Sequence, residues 1–434
     1  MQKLLGDEYP AFLRALEDPP ALALRLNPKR AGAEDAAAAY TDGPVPWEGL
    51  GRYLARREGM KPGGSIAHAA GAFYLQEASA MASAAALDAR PGERVLDLCA
   101  APGGKSTQIA AAMADVGLLV SNDPEPARAK ALAGNLERLG AANAVVVSAL
   151  PQRLAELWPD AFDAVLTDAP CSGEGMFRRD PAARGEWTPA APAGCARRQA
   201  GILDAAARMV RPGGRLVYST CTFNEQENEG SVLGFLDRRP DFVPEDFQLP
   251  GAGASAGGML RLFPHRVRGD GHFVAKLRRT ADGGSARRGN AAPGPGDRAA
   301  DDALRTLARE VCALPDFLSG MAVFIQGDWL YGRPRECPDT RGLRIVSPGL
   351  CLARLGRNHV DPAHALAMAL PPALAHRRAE LDEAEARAWL RGEAIPREGA
   401  KGWTLALHRG LPLGWGKASE GQLKNHLPKG LRLP

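Results

Sequence analysis

The chain has 434 residues, of which 45% are hydrophobic and 24% charged, with a formal net charge of +4. This length favours two or three domains, and the apolar share suffices for a packed core in each. No run of about 18 uncharged apolar residues could span a bilayer, and the acidic residues near the start do not fit a signal peptide, so we expect a cytoplasmic protein. The seven cysteines contain no Cys-x-x-Cys pair, which argues against a disulfide framework or a bound metal.

In chain order, residues 1–70 combine the helical segment EYPAFLRALED with LRLNPKR and a Pro- and Gly-rich stretch, which predicts a small N-terminal domain. From 71 to 279, short β-branched runs alternate with Ala- and Leu-rich segments of helical length. Strands that alternate with helices of about 10 to 15 residues predict an α/β fold with a doubly wound, mostly parallel sheet. Ligands of such sheets bind at the carboxyl ends of the strands.

The segment 280–302 is rich in Gly, Pro, Ala and charge and has no periodicity, which predicts a flexible linker. Residues 303–434 carry strand-like pieces around the helical segment EAEARAWLRG. This pattern predicts a compact mixed α+β domain at the C-terminal end of the chain.

The stretch DLCAAPGGKSTQIAA, residues 97–111, joins a predicted strand to a predicted helix. Gly103 and Gly104 permit close approach of a ligand to the backbone, and the helix offers free N–H groups with partial positive charge. A P-loop for a nucleoside triphosphate requires glycine where Cys99 stands, and the dinucleotide pattern G-x-G-x-x-G is also absent. The turn therefore predicts a site for a different cofactor.

Later strand ends add polar residues at the same edge of the sheet. Asp123 ends the second strand, where an acid can accept hydrogen bonds from ribose hydroxyls, although Asp before Pro is also common in turns. Asp168 and Cys171 follow the fourth strand in DAPCSGEG, and Cys221 follows the fifth in STCTFNEQENE. A buried structural cap is the alternative for Asp168. Two cysteines that end neighbouring strands can meet over one ligand, and their polar flanks favour chemistry over packing.

These motifs, in this order, resemble the S-adenosylmethionine-dependent RNA 5-methylcytosine methyltransferases of the NOL/NOP/Sun type. LRLNPKR, GAFYLQEASAM and RLFPHRVRGDGHFVAKL are further matches, and SPGLCLARLGRNHVDPAHALAMAL and the C-terminal GWTLALHRGLPLGWGKASEGQLKNHLPKGLR resemble the bacterial RsmF branch, which modifies small-subunit ribosomal RNA. The resemblance implies a Rossmann-like methyltransferase domain at 71–279, an RNA-binding extension at 1–70 and a PUA-like RNA-binding domain within 303–434. The cofactor-binding residues that it implies are Cys99, Ala100, Ala101, Pro102, Gly103, Gly104, Lys105, Asp123 and Asp168.

The implied reaction explains the residue types. Cytosine C5 is too weak a nucleophile to take a methyl group directly, so a thiolate first adds to C6. The resemblance assigns this addition to Cys221, product release to Cys171, and contact with the cofactor and the base to Asp168. Lys105, by its charge, is a candidate for lowering the pKa of the thiol. In DNA cytosine methyltransferases the Cys of the Pro-Cys pair, here Cys171, is the nucleophile, but their Glu-Asn-Val segment is absent, so we prefer Cys221.

Several alternatives remain open in the sequence. Where the family carries an acid near the adenine, this chain has Ser148, Ala149 and Leu150. The Lys105 ammonium can face either the cofactor carboxylate or the target base. The resemblance implies ribosomal RNA as the partner of a monomeric enzyme; a transfer RNA methyltransferase and a non-catalytic ribosome-assembly factor are the alternatives.

Chemistry on a stacked base requires its extrusion, so RNA contacts away from the active site are needed. Arg25, Lys29 and Arg30 are candidates, and so is the basic tail at 409–434. The arginines of FRRDP, residues 177–181, lie nearer the catalytic motifs but can equally pair with nearby acids. Solvated surface charge with no role in RNA binding is the alternative for all of them.

Overall fold

The computed structural model describes residues 1–57, 59–280, 298–357, 359–399 and 401–433. A nine-stranded mixed sheet forms the centre, and sheets of four, four and five strands are built from the N-terminal and C-terminal parts of the chain. No helix within these ranges is long and apolar enough to cross a membrane.

The N-terminal module is a four-stranded antiparallel sheet with short helices. Its elements are α1 (Gln2–Leu5), α2 (Tyr9–Glu17), β1 (Ala23–Leu26), α3 (Ala33–Ala37), β2 (Thr41–Pro44), β3 (Gly51–Leu54), α4 (Ile66–Ala69) and β4 (Phe73–Leu75). The strand order is β2-β3-β1-β4, with β1 paired to both β3 and β4. Because β4 belongs to this sheet, the module continues beyond the boundary predicted at residue 70.

The central module alternates strands and helices as predicted. Its elements are α5 (Met81–Leu87), β5 (Arg94–Asp97), α6 (Gly104–Met113), β6 (Leu118–Asn122), α7 (Pro126–Arg138), β7 (Ala144–Ser148), α8 (Pro151–Leu157), β8 (Phe162–Asp168), α9 (Pro181–Glu186), α10 (Ala191–Met209), β9 (Val210–Thr220), α11 (Glu229–Arg238), β10 (Phe242–Pro244), β11 (Gln248–Leu249), β12 (Gly253–Ala254), β13 (Met259–Leu262) and β14 (His272–Arg279).

Five parallel strands in the order β9-β8-β5-β6-β7 form the middle of the sheet. Antiparallel β14, β10 and β13 extend it beyond β9. Side chains alternate across each strand, so Val95 packs into the core on one face while Leu96 packs into the core on the other. Because both faces of the sheet are buried, its strands are continuous apolar runs in the sequence. The predicted α/β fold class is confirmed.

The C-terminal part, predicted as one compact mixed domain at 303–434, contains two sheets that share a hydrophobic core. Its elements are α12 (Arg298–Glu310), β15 (Met321–Gln326), β16 (Trp329–Pro334), β17 (Arg344–Ser347), β18 (Leu350–Leu355), β19 (Val360–Pro362), α13 (His364–Ala369), β20 (Arg378–Glu380), α14 (Glu383–Arg391), β21 (Ile395–Pro396), β22 (Gly402–His408), β23 (Leu411–Ser419) and β24 (Gln422–Asn425). The strand orders of the two sheets are β15-β16-β18-β19 and β20-β22-β23-β24-β21. Strand β17 belongs to neither sheet and pairs with β7 of the central sheet.

The linker predicted at 280–302 lies largely outside the described residues, which exclude 281–297. Its last five residues, 298–302, begin α12 instead. They are helical because the apolar face of α12, including Ala303 and Leu307, is buried against the C-terminal core.

Arg25 fastens the N-terminal sheet to α6 and does not face RNA. It is 1% exposed, and its guanidinium donates hydrogen bonds to Thr107 Oγ1 at 2.6 Å, Gln76 Oε1 at 3.2 Å and the carbonyl of Gly104 at 3.3 Å. Burial lowers the pKa of Arg25 to about 10. The expectation that this residue contacts RNA is therefore wrong, because its donors are used inside the protein.

Lys29 and Arg30 are likewise internal. Lys29 Nζ lies 2.5 Å from Asp115 Oδ2, and burial lowers the pKa of Lys29. Arg30 is 5% exposed and donates to the carbonyls of Ala70 and Met368, the second at 2.7 Å. These two residues also fail as RNA contacts, because each is enclosed where the N-terminal module meets other parts of the chain.

Both arginines of FRRDP pair with one acid. Arg178 Nη2 lies 3.2 Å from Asp270 Oδ1, and Arg179 Nε binds Asp270 Oδ2. Both also donate to carbonyls of the N-terminal module, Arg178 to Ala15 at 3.0 Å and Arg179 to Ala21 at 2.8 Å. The alternative interpretation, pairing with a nearby acid, is the one that the structure supports.

We expect Arg25→Ala to lower the free energy of unfolding by about 3 kcal/mol, because buried acceptors lose their charged donor. Urea denaturation followed by circular dichroism would measure the change. Arg14→Ala is the matched control, since Arg14 is exposed and its loss should change stability by less than about 0.5 kcal/mol. An unchanged stability for Arg25→Ala, together with a weaker salt dependence of RNA binding, would show that Arg25 faces RNA after all.

Candidate functional site

A tight turn between β5 and α6 forms the first wall of the site. Gly103 has φ +115°, and a Cβ there would lie 3.1 Å from Leu132 Cδ1. A Cβ on Gly104 would lie 3.2 Å from Tyr74 Cε1. Glycine at both positions therefore allows the backbone to pass close to its neighbours while α6 begins at the turn. The first N–H groups of this helix have no intrahelical partners and are available to a ligand.

Asp97, the last residue of β5, was not singled out in the sequence. It is fully buried and accepts a hydrogen bond from Ser106 Oγ at 2.6 Å through Oδ2. Its other oxygen, Oδ1, is buried and has no hydrogen-bond partner within the described chain. Burial raises the pKa of Asp97 to about 7. The site thus contains an unsatisfied acceptor directly beside the turn.

Asn122, at the end of β6, connects three strand ends. Its Nδ2 donates to the carbonyls of Leu98 at 3.0 Å and Ala149 at 3.1 Å, and its Oδ1 accepts from Ala149 N at 3.0 Å. The backbone around Ala149, where the sequence lacks an acid, is therefore held by an internal amide. Asn122 was missed because its partners lie far away in sequence, although its position before Asp123 at a strand end was a usable signal.

Asp123 lies where it was predicted, directly after β6. It is 1% exposed; its Oδ1 accepts from Glu125 N at 3.0 Å, and its Oδ2 lies 3.4 Å from Arg128 Nη2. Arg128 also donates to the Ala101 carbonyl at 3.0 Å. The carboxylate is consequently fixed in orientation beside the turn at 98–103.

Asp168 links four segments of the site. Its Oδ2 accepts from Lys105 Nζ at 2.7 Å, its Oδ1 accepts from Ser219 Oγ at 2.7 Å, and His272 Nε2 lies 3.5 Å from the same oxygen. Burial alone would raise the pKa of Asp168, but the Lys105 ammonium and His272 outweigh burial and hold it below its usual range. The pKa of Lys105 is raised in turn, because the Asp168 charge outweighs the opposing effect of burial. The Lys105 ammonium therefore faces Asp168.

The two predicted cysteines meet. Cys171 Sγ and Cys221 Sγ lie 3.3 Å apart, in the loops that follow the neighbouring parallel strands β8 and β9. The hydrogen bond to Cys221, followed by burial, raises the pKa of Cys171 well above its usual range. Cys171 therefore retains its proton and can donate it in a hydrogen bond to the other sulfur.

Glu227 supports the loops of both cysteines. It is fully buried, and its carboxylate accepts from Ser172 N at 3.0 Å, Gln199 Nε2 at 2.8 Å and Asn224 Nδ2 at 2.7 Å. Asn228 is also buried and donates to the Thr222 carbonyl at 3.0 Å. Sequence reasoning missed both residues, although the run of acids and amides after Cys221 was a signal for such a network.

The remaining turn residues are positioned by backbone contacts. Burial, together with the charge of Asp97, raises the pKa of the Cys99 thiol, which makes Cys99 a poor nucleophile. Ala100 N donates to the Asn122 carbonyl at 2.8 Å, and the Pro102 carbonyl accepts from Asn135 Nδ2 at 2.9 Å. The structure therefore brings all predicted site residues to one edge of the sheet.

Comparison with known families supports the same interpretation along the whole chain. A family model described as 16S rRNA methyltransferase RsmB/F matches residues 84–278. Three further models match the N-terminal domain of 16S rRNA methyltransferase RsmF at 1–78, the RsmF rRNA methyltransferase first C-terminal domain at 307–370 and the methyltransferase RsmF PUA domain at 377–433. The predicted PUA-like fold is confirmed.

The chain is similar to curated proteins named ribosomal RNA small subunit methyltransferase F. The one from Erwinia tasmaniensis is 33% identical over 99% of this chain and 95% of its own length. The one from Klebsiella pneumoniae is 33% identical over 97% of this chain and 92% of its own length.

Among solved structures, a methyltransferase homologue from Pyrococcus horikoshii is 29% identical, with a TM-score of 0.53 over 63% of this chain and 91% of its own. NSun6 from the same organism, solved with SFG, shares the fold at 22% identity, with a TM-score of 0.55 over 65% of this chain and 97% of its own. SFG, the ligand of that neighbour, is an analogue of S-adenosylmethionine. The match to a methyltransferase family confirms the expectation of S-adenosylmethionine as the cofactor. With matches to all four segments and relatives that cover almost its full length, the chain belongs to the RsmB/F family of 16S rRNA methyltransferases.

Proposed function

We propose that this protein methylates C5 of cytosine in 16S ribosomal RNA through a transient bond between Cys221 Sγ and C6 of the base. The observation that carries the proposal is the pair of thiols 3.3 Å apart beside the Asp168–Lys105 ion pair. The names of the relatives support small-subunit ribosomal RNA as the substrate over transfer RNA.

The residues at the turn fit S-adenosylmethionine. When bound, this cofactor supplies an electrophilic methyl group. The unsatisfied Oδ1 of Asp97 suits the ammonium of the cofactor, and the close-packed turn at Gly103 and Gly104 offers bare backbone to it. Asp123 suits the ribose hydroxyls, and the backbone held by Asn122 around Ala149 would serve where an acid is lacking near the adenine.

Cys221 is the better nucleophile of the two cysteines. Cys171 keeps its proton, since its pKa is raised mainly by the hydrogen bond to Cys221. The charge of Cys221 is among those that raise the pKa of Lys105, so the ammonium lies close enough to Cys221 to interact with it electrostatically. The Cys221 thiolate adds to C6 and moves electron density to C5, while the ionised Asp168 accepts a hydrogen bond from the cytosine edge.

Release requires two bonds to break. After methylation the C5 proton leaves to a base, the C5–C6 double bond forms again and the Cys221 sulfur departs as a thiolate. Cys171, with its retained proton, stabilises this leaving sulfur by a hydrogen bond over 3.3 Å. The arrangement supports one cysteine for addition and the other for elimination.

The activity is tested by transfer of a labelled methyl group from S-adenosylmethionine to 16S ribosomal RNA. Bisulfite sequencing of RNA from cells with and without the protein would then locate the modified cytosine. A label on a position other than C5 would overturn the chemistry, and a label only on transfer RNA would overturn the substrate. Absence of transfer to any RNA would favour an assembly factor.

We expect Cys221→Ala to lower methyl transfer by about 1000-fold or more and to abolish the covalent complex with RNA, since the nucleophile is gone. Cys171→Ala should instead allow the covalent complex to accumulate. Denaturing gel electrophoresis of the protein with labelled RNA would measure both. Cys351→Ala is the control, because Cys351 lies on β18 in the C-terminal part, away from the pair. Normal adducts without Cys221 would reverse the assignment.

Asp97 supplies a pH-dependent test of the cofactor site. Its folded-state pKa of about 7 lies above the ordinary value of 3.8. Between these two pH values the folded protein therefore retains a proton on Asp97 that the unfolded chain has lost. Wild-type stability should fall relative to Asp97→Asn as the pH rises through this range, by roughly 4 kcal/mol.

Urea denaturation of both proteins at several pH values would measure this difference. A saturating amount of S-adenosylmethionine should stabilise the wild type more than the variant at pH near 8, because the cofactor ammonium compensates the ionised carboxylate. A stability difference that is flat with pH would contradict the buried titration. Equal stabilisation by the cofactor would contradict the contact with its ammonium.

A further inference from the structure

A cavity of about 560 Å³ lies between the N-terminal helices and the loops that carry the two catalytic cysteines. Four aromatic side chains line it, and the proposed reaction uses none of them. They are Phe12, Phe177, Trp187 and Phe223.

The cavity shares its walls with the active site. Phe223 follows Cys221 by two residues, and its amide donates to Glu174 Oε2 at 2.8 Å. Gly175, next to Glu174, donates its N–H to the Cys221 carbonyl at 2.8 Å. The wall of the cavity is therefore continuous with the loop that carries Cys221.

The aromatic rings form two edge-to-face pairs. Phe12 and Phe223 have centroids 5.1 Å apart at 88°, and Phe177 and Trp187 have centroids 6.5 Å apart at 84°. Phe12 and Phe223 are only 2% and 4% exposed, so a flat guest would stack on the half-buried rings of Phe177 and Trp187. Stacking on aromatic side chains accepts any base.

Trp187 adds a polar requirement. Its Nε1 is buried and has no hydrogen-bond partner, the one such side-chain atom among the described residues that line the cavity. By contrast, Glu174 in the wall is satisfied internally, since it accepts from Phe223 N and from Asn224 Nδ2 at 3.2 Å, and the second acid of the lining, Glu225, is exposed. The guest that suits this cavity is flat, aromatic and carries an acceptor at its edge, as every nucleobase does.

The rim is suited to the backbone of an RNA strand. Lys3 is exposed there and offers a positive charge to phosphate, while Leu4, 39% exposed, continues the apolar interior outward. Extrusion of the target cytosine breaks its stacking with the next nucleotide, so an unstacked neighbour is available to fill the cavity.

We propose that this cavity binds an unpaired nucleobase adjacent to the target cytosine on the same RNA strand, stacked on the aromatic side chains and hydrogen-bonded to Trp187 Nε1. The identity of the strand rests on the proposed function. The cavity thus acts as a second base-binding subsite that holds the flanking nucleotide while the cytosine reacts.

The test is a double-mutant cycle between Trp187 and the RNA. Binding of a short single-stranded RNA with one central cytosine to the full-length protein would be measured by fluorescence anisotropy. A second set of RNAs carries an abasic nucleotide at one position beside the cytosine. We expect Trp187→Ala to weaken binding of the intact RNA about tenfold, the typical effect of losing one stacked base.

The same substitution should have no further effect on the RNA that lacks the bound base. Trp187→Phe should bind the intact RNA with an affinity between those of the wild type and Trp187→Ala, since it keeps an aromatic ring and loses the N–H donor. Leu233→Ala, which removes a 54% exposed apolar side chain from α11, is the control and should leave binding unchanged.

The proposal would be overturned if the effects of Trp187→Ala and of every abasic position were additive, or if the wild type bound none of these RNAs. It would also be overturned if Trp187→Ala bound the intact RNA as tightly as the wild type, which is the result expected when the cavity accepts a protein side chain instead. Because this assay needs no methyl transfer, coupling without C5 methylation would refute the proposed function alone. Methylation without coupling would refute the subsite alone.

Discussion

The ion pair between Lys105 and Asp168 is the contact on which the arrangement of the site depends. The two side chains are 12% and 29% exposed, and their charged atoms lie 2.7 Å apart. Either charge alone would be costly in such surroundings, and removal of one partner would leave the other uncompensated. The pair therefore fixes the start of α6 against the end of β8, which joins the cofactor turn to the strand that leads to Cys171. Ser219 and His272 then attach β9 and β14 to the same carboxylate.

Beyond this ion pair, a network of buried amides and carboxylates holds the two cysteine thiols at hydrogen-bonding distance. Glu227 receives hydrogen bonds from both cysteine loops, and Asn228 holds the residue after Cys221. A site built on such fixed loops keeps its side chains within a narrow range of positions, which the proposed addition to C6 requires. The short distance between the sulfurs of Cys171 and Cys221 is thus a consequence of strand order and of these supports.

Much of the central module was predictable because its signals are local. Strand and helix periodicity predicted the parallel sheet, and strand-end motifs predicted Asp123, Asp168 and both cysteines at one edge. The supports escaped prediction because their partners are distant in sequence, as for Asn122 with Ala149. The roles of Arg25, Lys29 and Arg30 were predicted wrongly for the same reason. Arg30 looks like a surface charge in its local segment, yet its guanidinium binds a carbonyl 338 positions away.

The burial of these basic residues changes how the N-terminal module contributes to RNA recognition. Arg25 and Arg30 use their donors to dock the module, and the docking brings Phe12 of α2 against Phe223 next to the catalytic loop. The aromatic cavity exists only because the two modules meet in this way. In the proposed subsite the module contributes the shape of the surface that it completes, while the charges of Arg25 and Arg30 serve the assembly of that surface. A charge count along the sequence cannot separate these two roles, because burial decides between them.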